Sequence, residues 1–347
     1  EEAIRTVNEL ITPALAGKNV FDQKAIDALM LELDGTNNKK NLGGNSMIGI
    51  SIACAKVAAK VRGEETFAYL RTLAEIKPSR EVPYLYMNLI NGGKHAKNGL
   101  AFQEYMIVPE TLRVAEAIEI GMSIKNTLKE NLMKKLGPHS GVFGDEGGFA
   151  PQLGDVREPL LYLHEAIKQN SVEGRVRLAL DVAATSFFSD RGYAVGDKKI
   201  SKEELLEIYQ ALQKEFGLLS VEDPFMESDF ESFRALTQTG GALVVGDDLT
   251  VTNSKLLRQA IDRQSINAVI IKPNQIGTLT ETLATMQLAR DHDLELIVSH
   301  RSGETNDDFI ADLAYAFGCF GLKAGAPSKP ERIIKYNRLA NICATNL

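Results

Sequence analysis

Six short apolar segments of this chain end in the same way, each with a charged or hydroxyl-bearing residue. The segments are VRLALD, LLSVE, LVVGD, AVIIK, LELIVSHRS and FGLK, which end at Asp181, Glu222, Asp247, Lys272, Ser302 and Lys323. Amphipathic helical patterns separate most of them, and repeated strand–helix units predict a parallel sheet. In a (β/α)₈ barrel all strands open at their carboxyl ends onto one mouth, where catalytic groups collect. An open doubly wound sheet gathers only the ends near its switch point, so the pattern favours the closed α/β barrel.

The first 79 residues have a different pattern. EEAIRTVNELITPAL and DQKAIDALMLEL show helical spacing, and the stretch from Gly43 to Lys60 is rich in small residues that suit close helix packing. From about Glu81 onward, strand-like runs alternate with helical patterns, and no low-complexity linker separates the two regions. We therefore expect a mostly helical N-terminal domain over residues 1–79, packed against a barrel domain over residues 80–347.

Bulk composition excludes several classes of partner. The net charge of −7 argues against a nucleic-acid or anionic-membrane surface. No apolar run reaches the roughly 18 residues that a membrane span needs. The three cysteines lie far apart and form neither a CxxC pair nor a disulfide framework, which indicates a reducing compartment. We expect a cytoplasmic protein without a membrane span or a nucleic-acid partner.

Three of the strand-end residues are acids that would share the predicted mouth: Asp181, Glu222 and Asp247. Two like unit charges at 4 Å repel by about 4 kcal/mol at an effective dielectric constant near 20, so something must neutralise them. Oxygen ligands without histidine or cysteine indicate a hard cation, Mg²⁺ before Ca²⁺ or Zn²⁺. Each acid alone has a second interpretation, as a helix N-cap or a surface ion-pair partner, and that alternative stays open at this point.

The same mouth would also hold cationic and hydroxyl side chains. Lys272 and Lys323 follow two of the strands, and Arg301 and Ser302 follow a third. Beside a divalent cation the pKa of a lysine falls, so that a neutral amine can remove a proton. Arginine and serine donate hydrogen bonds to phosphate or carboxylate. These residues predict a small anionic substrate, despite the acidic composition of the chain.

Two stretches outside the six strand ends also suggest chemistry. GVFGDEGGFAP surrounds Glu146 with glycines, which let the backbone bring an acid close to a ligand, although a plain glycine-rich turn explains the same letters. NGGKHAKNGLAFQEYMIVP places His95 in a loop, with Gln103 and Glu104 at the start of an apolar strand.

Taken together, these stretches resemble a known family. GDEGGFAP, LALDVAA, SVEDPF, VGDDLTVTN, IKPNQIGTLTET, VSHRSGET and LKAGAPSKPERIIKYNRL resemble the signature stretches of the enolases, the phosphopyruvate hydratases. ELDGTNNKKNLGGNSMIGISIA is similar to the N-terminal domain of that family. The resemblance covers essentially the whole chain. It implies a (β/α)₈-type barrel with an N-terminal α+β cap, an irregular start to the barrel, and a homodimer or octamer.

The resemblance also implies a reaction and a role for each candidate residue. The reaction is the reversible dehydration of 2-phospho-D-glycerate to phosphoenolpyruvate in glycolysis and gluconeogenesis. By resemblance, Mg²⁺ is bound by Asp181, Glu222 and Asp247. Lys272 abstracts the proton, and Glu146 is the general acid, supported by Glu104. The substrate is held by Lys323 at its carboxylate and by Arg301 and Ser302 at its phosphate, with His95, Gln103 and His300 completing the pocket.

Two other functions remain open from the sequence. One is a different enolase-superfamily lyase that acts on another carboxylate. The other is a catalytically silent relative that serves as a binding or structural protein. The family also carries a β-hairpin and a serine-bearing mobile loop upstream of EEAIRTVNEL, and a longer C-terminal tail. We therefore expect the natural chain to extend beyond both ends of this sequence.

Overall fold

The computed structural model describes residues 2–96 and 98–346. Its N-terminal region is helical, as the periodicity predicts. The helices of this region are α1 (Glu2–Thr6), a π-helical turn (Val7–Ile11), α2 (Thr12–Leu15), α3 (Gln23–Asp34), α4 (Gly44–Arg62) and α5 (Thr66–Arg71). Helix α3 shows how local sequence sets these bounds. The Asp22 side chain accepts a hydrogen bond from the Ala25 N–H at its start, and Gly35 adopts a left-handed conformation at its end.

The rest of the chain forms a closed barrel and a small separate sheet. The strands are β1 (Tyr84–Asn91), β2 (Glu104–Pro109), β3 (Val176–Asp181), β4 (Phe188–Ser189), β5 (Gly192–Val195), β6 (Lys198–Ile200), β7 (Ser220–Glu222), β8 (Leu243–Gly246), β9 (Ala268–Ile271), β10 (Glu295–Ser299) and β11 (Gly321–Lys323). The barrel order is β1-β11-β10-β9-β8-β7-β3-β2, and β4-β5-β6 form the small sheet. The predicted α/β barrel is therefore confirmed.

Helices surround the barrel and follow most of its strands. They are α6 (Val114–Leu136), α7 (Glu158–Gln169), α8 (Lys202–Phe216), α9 (Phe230–Thr239), α10 (Ser254–Asp262), α11 (Pro273–Ile276), α12 (Leu279–Asp291), α13 (Phe309–Ala316) and α14 (Pro330–Asn346). Short 3₁₀ turns span Gly93–His95, Pro138–Gly141 and Ala184–Phe187. Throughout the described part of the chain, no helix combines the length and the apolar character that crossing a bilayer requires.

Strand β2 is the irregular member of the barrel. It pairs antiparallel with both β1 and β3, whereas the remaining barrel pairs are parallel. A loop with one 3₁₀ turn joins β1 to β2 at the mouth of the barrel, and two helices, α6 and α7, return the chain from β2 to β3. As a result β2 begins at the mouth, so Glu104 lies there although it starts a strand.

The core divides into an inner and an outer part. The inner cluster takes side chains from several strands at once, including Tyr86, Met106, Val245 and Ile297, which places it inside the barrel. The larger cluster fills the space between strands and helices. Alternate residues of β2, β3, β8, β9 and β10 supply the two clusters, as expected for a barrel with a packed interior.

A buried carboxylate joins the N-terminal helices to the barrel. Asp27 on α3 accepts hydrogen bonds from Gln23 Nε2 (3.1 Å) and Ser51 Oγ (2.6 Å), which lie on α3 and α4. It also accepts from the backbone N (2.9 Å) and the Oγ1 (2.6 Å) of Thr280 on α12. The side chain is 1% exposed, so these bonds replace all of its hydration.

We predict that Asp27→Ala destabilises the protein by at least about 3 kcal/mol, because four bonds to one buried carboxylate are lost and their donors are left unsatisfied. Chemical denaturation measures this free energy. The matched control is Asp22→Ala on the same helix, where an exposed N-cap is lost and about 1 kcal/mol is expected. Equal losses in the two variants would contradict a joint centred on Asp27.

Candidate active site

Strand register brings three acids side by side at the barrel mouth. Glu104 on β2 is paired with Asp181 on β3, and Asp181 is paired with Glu222 on β7. All three are buried, at 2%, 4% and 3% exposure. The pKa values of Glu222 and Glu104 lie well above the ordinary glutamate range, chiefly because burial disfavours the charged form.

The ammonium group of Lys323 lies among these acids. Its Nζ is 2.8 Å from Asp181 Oδ2, 2.8 Å from Glu222 Oε2 and 3.2 Å from Glu104 Oε2. Lys323 ends β11 and is 2% exposed. Burial alone would lower its pKa, but the carboxylates of Asp181, Glu104 and Glu222 outweigh burial and raise the pKa well above the usual lysine value. These carboxylates therefore stabilise the charged ammonium form of Lys323.

A second lysine and a fourth acid form a neighbouring ion pair. The Lys272 Nζ donates to Asp247 Oδ2, and Gln275 Nε2 donates to Asp247 Oδ1 at 2.9 Å. Burial is the largest single influence and raises the pKa of Asp247, but the charge and hydrogen bond of Lys272, the charge of Lys323 and the Gln275 hydrogen bond together lower it. The backbone N–H of Lys272 donates to Thr252 Oγ1 at 2.9 Å, which fixes the start of this loop.

Asp223, the second acid of the SVEDPF stretch, has a different role from Glu222. Its carboxylate is not among those that contact Lys323. It accepts hydrogen bonds from the backbone N–H groups of Asp247 (3.0 Å) and Asp248 (2.7 Å). Asp223 thus orders the loop that follows β8. Sequence reasoning missed this function because the bonded groups lie 24 and 25 residues away.

A buried carboxylate pair, Glu104 and Glu146, adjoins these acids. His95, Glu104 and Glu146 offer ligand atoms that all lie within 4.8 Å of one another. Asn88 Nδ2 donates to Glu146 Oε2 at 3.1 Å, and His300 Nε2 lies 3.4 Å from the same oxygen.

The two carboxyl groups of this pair differ in pKa. Burial raises the pKa of Glu146, but His300 and His95 outweigh it, and the net pKa lies well below the ordinary value. Burial and the charge of Glu146 raise the pKa of Glu104. A proton taken up by this pair therefore resides on Glu104 in preference to Glu146.

The segment after β10 presents two exposed side chains to the mouth. Arg301 and Ser302 are exposed, while the preceding His300 is 2% exposed. Arg332 on α14 donates to His300 Nδ1, to the Arg301 carbonyl (2.6 Å) and to the Ser302 carbonyl (2.8 Å). These backbone anchors leave the Arg301 and Ser302 side chains free to face a ligand.

One cavity of about 170 Å³ connects almost all of the predicted residues. Its lining includes Glu146, Lys272, Glu104, His95, Gln103, His300, Arg301, Ser302, Lys323, Asp181 and Asp247. Glu222 lies next to the cavity and reaches the site through its contact with Lys323. The cavity is also lined by Asp223, Asp248, Gln275 and Ser186, which the sequence did not single out as site residues. Asp223, Asp248 and Gln275 lie one to three residues after predicted site residues, in SVEDPF, VGDDL and IKPNQ, and this adjacency could have indicated them. No such signal marks Ser186.

The site contains carboxylate groups that could bind a metal ion. In the described ranges, two sets of three side chains bring their ligand atoms within 4.8 Å of one another: His95 with Glu104 and Glu146, and Asp223 with Asp247 and Asp248. The predicted ligand triad is not one of these sets, because Lys323 lies between Asp181 and Glu222 while Asp247 turns to Lys272.

Comparison with known proteins gives a consistent result. Residues 1–70 match the family model for the N-terminal domain of enolase, and residues 79–345 match that for the enolase C-terminal TIM barrel domain. The chain is 44% identical over 341 residues to the enolase of Methanocaldococcus jannaschii, covering 98% of this chain and 80% of that protein. It is 44% identical to a Campylobacter jejuni enolase and 42% identical to that of Metallosphaera sedula, covering 98% of this chain and 82% of each relative.

The opposite pKa shifts of Glu104 and Glu146 generate a paired prediction. The folded-state pKa of Glu104 is raised, so its contribution to stability is lost as pH rises from about 4.3, the ordinary glutamate pKa, through the raised pKa. Glu104→Gln mimics the protonated form and should be as stable as, or more stable than, the wild type at neutral pH. The expected gain is on the order of 1 kcal/mol.

The matched variant is Glu146→Gln, for which the sign reverses. The pKa of Glu146 is depressed, so its carboxylate stabilises the fold above the ordinary pKa, and this contribution is lost as pH falls through the depressed pKa. Glu146→Gln should lose on the order of 1 kcal/mol at neutral pH. Urea unfolding of both variants at several pH values tests this. Shifts of the same sign would refute the assigned electrostatics.

Proposed function

The chain belongs to the enolase family, and from this membership we propose that it catalyses the reversible dehydration of 2-phospho-D-glycerate to phosphoenolpyruvate. The observation that carries the proposal is the single cavity described above. It combines buried carboxylates, the buried Lys323, the partly buried Lys272 and an exposed arginine–serine pair, which are the groups needed to remove a proton, protonate a leaving hydroxyl and bind phosphate. The enzyme is accordingly a carbon–oxygen lyase.

Mg²⁺ is the cofactor in this proposal, with Asp181, Glu222 and Asp247 as its ligands. The donor set fits, because it consists of carboxylate oxygens, which hard cations prefer. The predicted site also has five buried acids against two lysines and one arginine, so acidic groups outnumber cationic ones. When bound, Mg²⁺ would stabilise the negative charge that develops on the substrate carboxylate as the neighbouring proton leaves.

Lys272 is the proposed general base. Its Nζ lines the cavity and is positioned by Asp247, while its backbone N–H is held by Thr252. The amine takes the proton from the carbon next to the substrate carboxylate, and the electron pair left behind forms the new double bond. The ion pair with Asp247 raises the pKa of Lys272 despite burial, so engagement of Asp247 elsewhere would favour the neutral amine.

The Glu104–Glu146 pair supplies the proton for the departing hydroxyl. Glu146 is the proposed general acid, and Glu104, within 4.8 Å, supports it by passing the proton of the pair to Glu146 for this step. Transfer of this proton to the hydroxyl releases water. The two carboxyl groups titrate as one unit, so both are needed for the step.

The remaining residues bind the substrate. Lys323 is proposed to contact the substrate carboxylate, since it carries a positive charge and lines the cavity. Arg301 and Ser302 are proposed to bind the phosphate, because both are exposed at the rim and their carbonyls are already anchored. The pocket is completed by His95, Gln103 and His300, which line the same cavity.

The broader assignments follow from family membership. We propose a homo-oligomer, a dimer or an octamer, that acts in the cytoplasm on a small phosphorylated substrate. The proposed domain boundary falls near residue 79, between the helical N-terminal region and the barrel. The direct experiment is the absorbance of phosphoenolpyruvate formed from 2-phospho-D-glycerate with and without Mg²⁺. A panel of other carboxylates separates a related lyase from an enolase, and inactivity on all of them would favour a binding protein.

We predict that Lys272→Ala lowers kcat by at least about 10²- to 10⁴-fold, the usual cost of removing a general base, while the fold is retained. The phosphoenolpyruvate assay and a melting curve measure the two effects. Lys39→Ala is the matched control, since it removes another buried lysine, one that pairs with Glu281 at 3.0 Å. Retention of more than about a tenth of wild-type kcat in Lys272→Ala would exclude this lysine as the base.

We predict that Asp247→Asn weakens Mg²⁺ binding and raises the Mg²⁺ concentration needed for activity, because one charge leaves the ligand set. Titration calorimetry gives the affinity. Asp248→Asn removes the same charge one residue away and should change affinity far less. In the wild type, a chelator should lower the melting temperature, since an ion bound only to the native state stabilises it. Unchanged calorimetry in Asp247→Asn would place the metal elsewhere.

A further inference from the structure

Arg332 is a buried charged residue that the proposed mechanism does not use. It lies in the first turn of α14 and is 1% exposed, yet no carboxylate is among its described hydrogen-bond partners. A buried arginine is costly unless its N–H groups are well used. Here the two terminal nitrogens are directed at one short segment, the ring of His300 and the carbonyls of Arg301 and Ser302, whereas Nε has no hydrogen-bond partner among the described residues.

The contact with His300 has a consequence for its protonation. An arginine can only donate hydrogen bonds, so the Nδ1 atom that faces Arg332 must be an acceptor without a proton. The proton of the neutral ring is then on Nε2, which lies 3.4 Å from Glu146 Oε2. Burial lowers the pKa of His300 even though Glu146 acts in the opposite direction, which agrees with a neutral ring.

Glu146, His300 and Arg332 all lie close to Gly325. Gly325 adopts a left-handed conformation at φ +78°, and a Cβ there would meet the Glu146 carbonyl at 3.0 Å, His300 Cε1 at 3.0 Å and Arg332 Cδ at 3.2 Å. The arginine, the histidine and the acid are thus in contact around one glycine. His300 is 2% exposed, so its ring nitrogens depend on these protein neighbours rather than on water for hydrogen bonds.

We propose that Arg332 is a positioning residue that fixes His300 in the tautomer protonated at Nε2, the ring nitrogen that lies 3.4 Å from Glu146 Oε2. The same guanidinium anchors the backbone of Arg301 and Ser302 and so orients the phosphate-binding side chains. Which ring nitrogen carries the proton is set by the partner of the other nitrogen, and here that partner is Arg332. The inference rests on the proposed function only for its kinetic consequences, because the tautomer is a property of the protein alone.

The test is nitrogen NMR of protein labelled with ¹⁵N-histidine. The chain has five histidines, and His300→Gln identifies the signal of interest. In the wild type at neutral pH, His300 should show a neutral ring with its proton on Nε2. In Arg332→Met, which keeps the bulk but has no donor, the signal should shift towards the other tautomer or an average of both. A wild-type signal protonated at Nδ1, or unchanged in Arg332→Met, overturns the proposal.

Kinetics separate positioning from simple loss of stability. Arg332→Met should lower kcat about 10- to 100-fold and raise KM for 2-phospho-D-glycerate, a range typical when the partner that orients a functional histidine is removed. Arg332→Lys should restore part of both. The matched control is Lys335→Met on the same helix, since Lys335 is equally buried and its Nζ donates to the Thr305 carbonyl at 2.9 Å. That variant should lose stability but keep the His300 tautomer.

The two levels of inference can fail separately. A wild type that shows the expected tautomer but no activity on 2-phospho-D-glycerate would refute the proposed function and leave the role of Arg332 intact. An active wild type whose Arg332→Met and Lys335→Met variants have equal activity and unchanged histidine signals would refute the role of Arg332. If Arg332→Met does not fold, the wild-type signal and Arg332→Lys still decide the question.

Discussion

The interaction on which the rest of this structure depends is the burial of several carboxylates around the ammonium group of Lys323. Asp181, Glu222 and Glu104 end or begin neighbouring strands and cannot move apart without breaking barrel register. Their mutual repulsion is of a size that would disrupt the mouth if nothing opposed it. Lys323 comes from β11, on the far side of β1 and β2 in the barrel order, so its contacts also tie opposite parts of the barrel together.

The C-terminal segment from Ser328 to Lys335 likewise connects separate loops, by hydrogen bonds outside the barrel. Lys329 donates to the Asp145 carbonyl at 2.8 Å and Ser328 to the Gly147 carbonyl at 3.1 Å, so the glycine-rich loop that carries Glu146 is held from both sides. A few residues later Arg332 and Lys335 hold the loop after β10. One stretch of chain therefore sets the separation between the proposed general acid and the proposed phosphate-binding residues.

The sequence allowed the barrel and most of its mouth to be predicted, because a strand end is a local signal. Asp181, Glu222 and Lys323 end their strands, and Asp247 and Lys272 each follow directly after one. The antiparallel direction of β2 was not predicted, because the resemblance implied only an irregular start to the barrel and a strand of six residues has no directional signal of its own. Asn88, Asp223 and Arg332 were missed for a related reason. Each acts on groups far away in the chain, and no spacing in a single sequence marks such a contact.

The loops that follow β3, β7 and β8 contain strained backbone conformations beside the polar residues of the mouth. Four residues have positive φ values, which residues other than glycine rarely adopt. They are Ala183 (47°), Asp223 (43°), Val251 (42°) and Thr252 (54°). Each such residue costs on the order of 1–3 kcal/mol, and the β-branched pair after β8 is the most unfavourable. The cost is offset by local hydrogen bonds. Thr252 Oγ1 donates to Gln275 at 2.7 Å and accepts from the Lys272 N–H.

These strained turns follow β3, β7 and β8, the strands that carry the three proposed metal ligands. A strand that ends in an inward-facing acid must turn sharply away to reach its helix, and a left-handed residue makes that turn in the fewest positions. The same bonds that hold the turn after β8 also fix Gln275 and Lys272 against Asp247. Strain and site geometry therefore have one cause, because the hydrogen bonds that compensate the turn are those that position the proposed base.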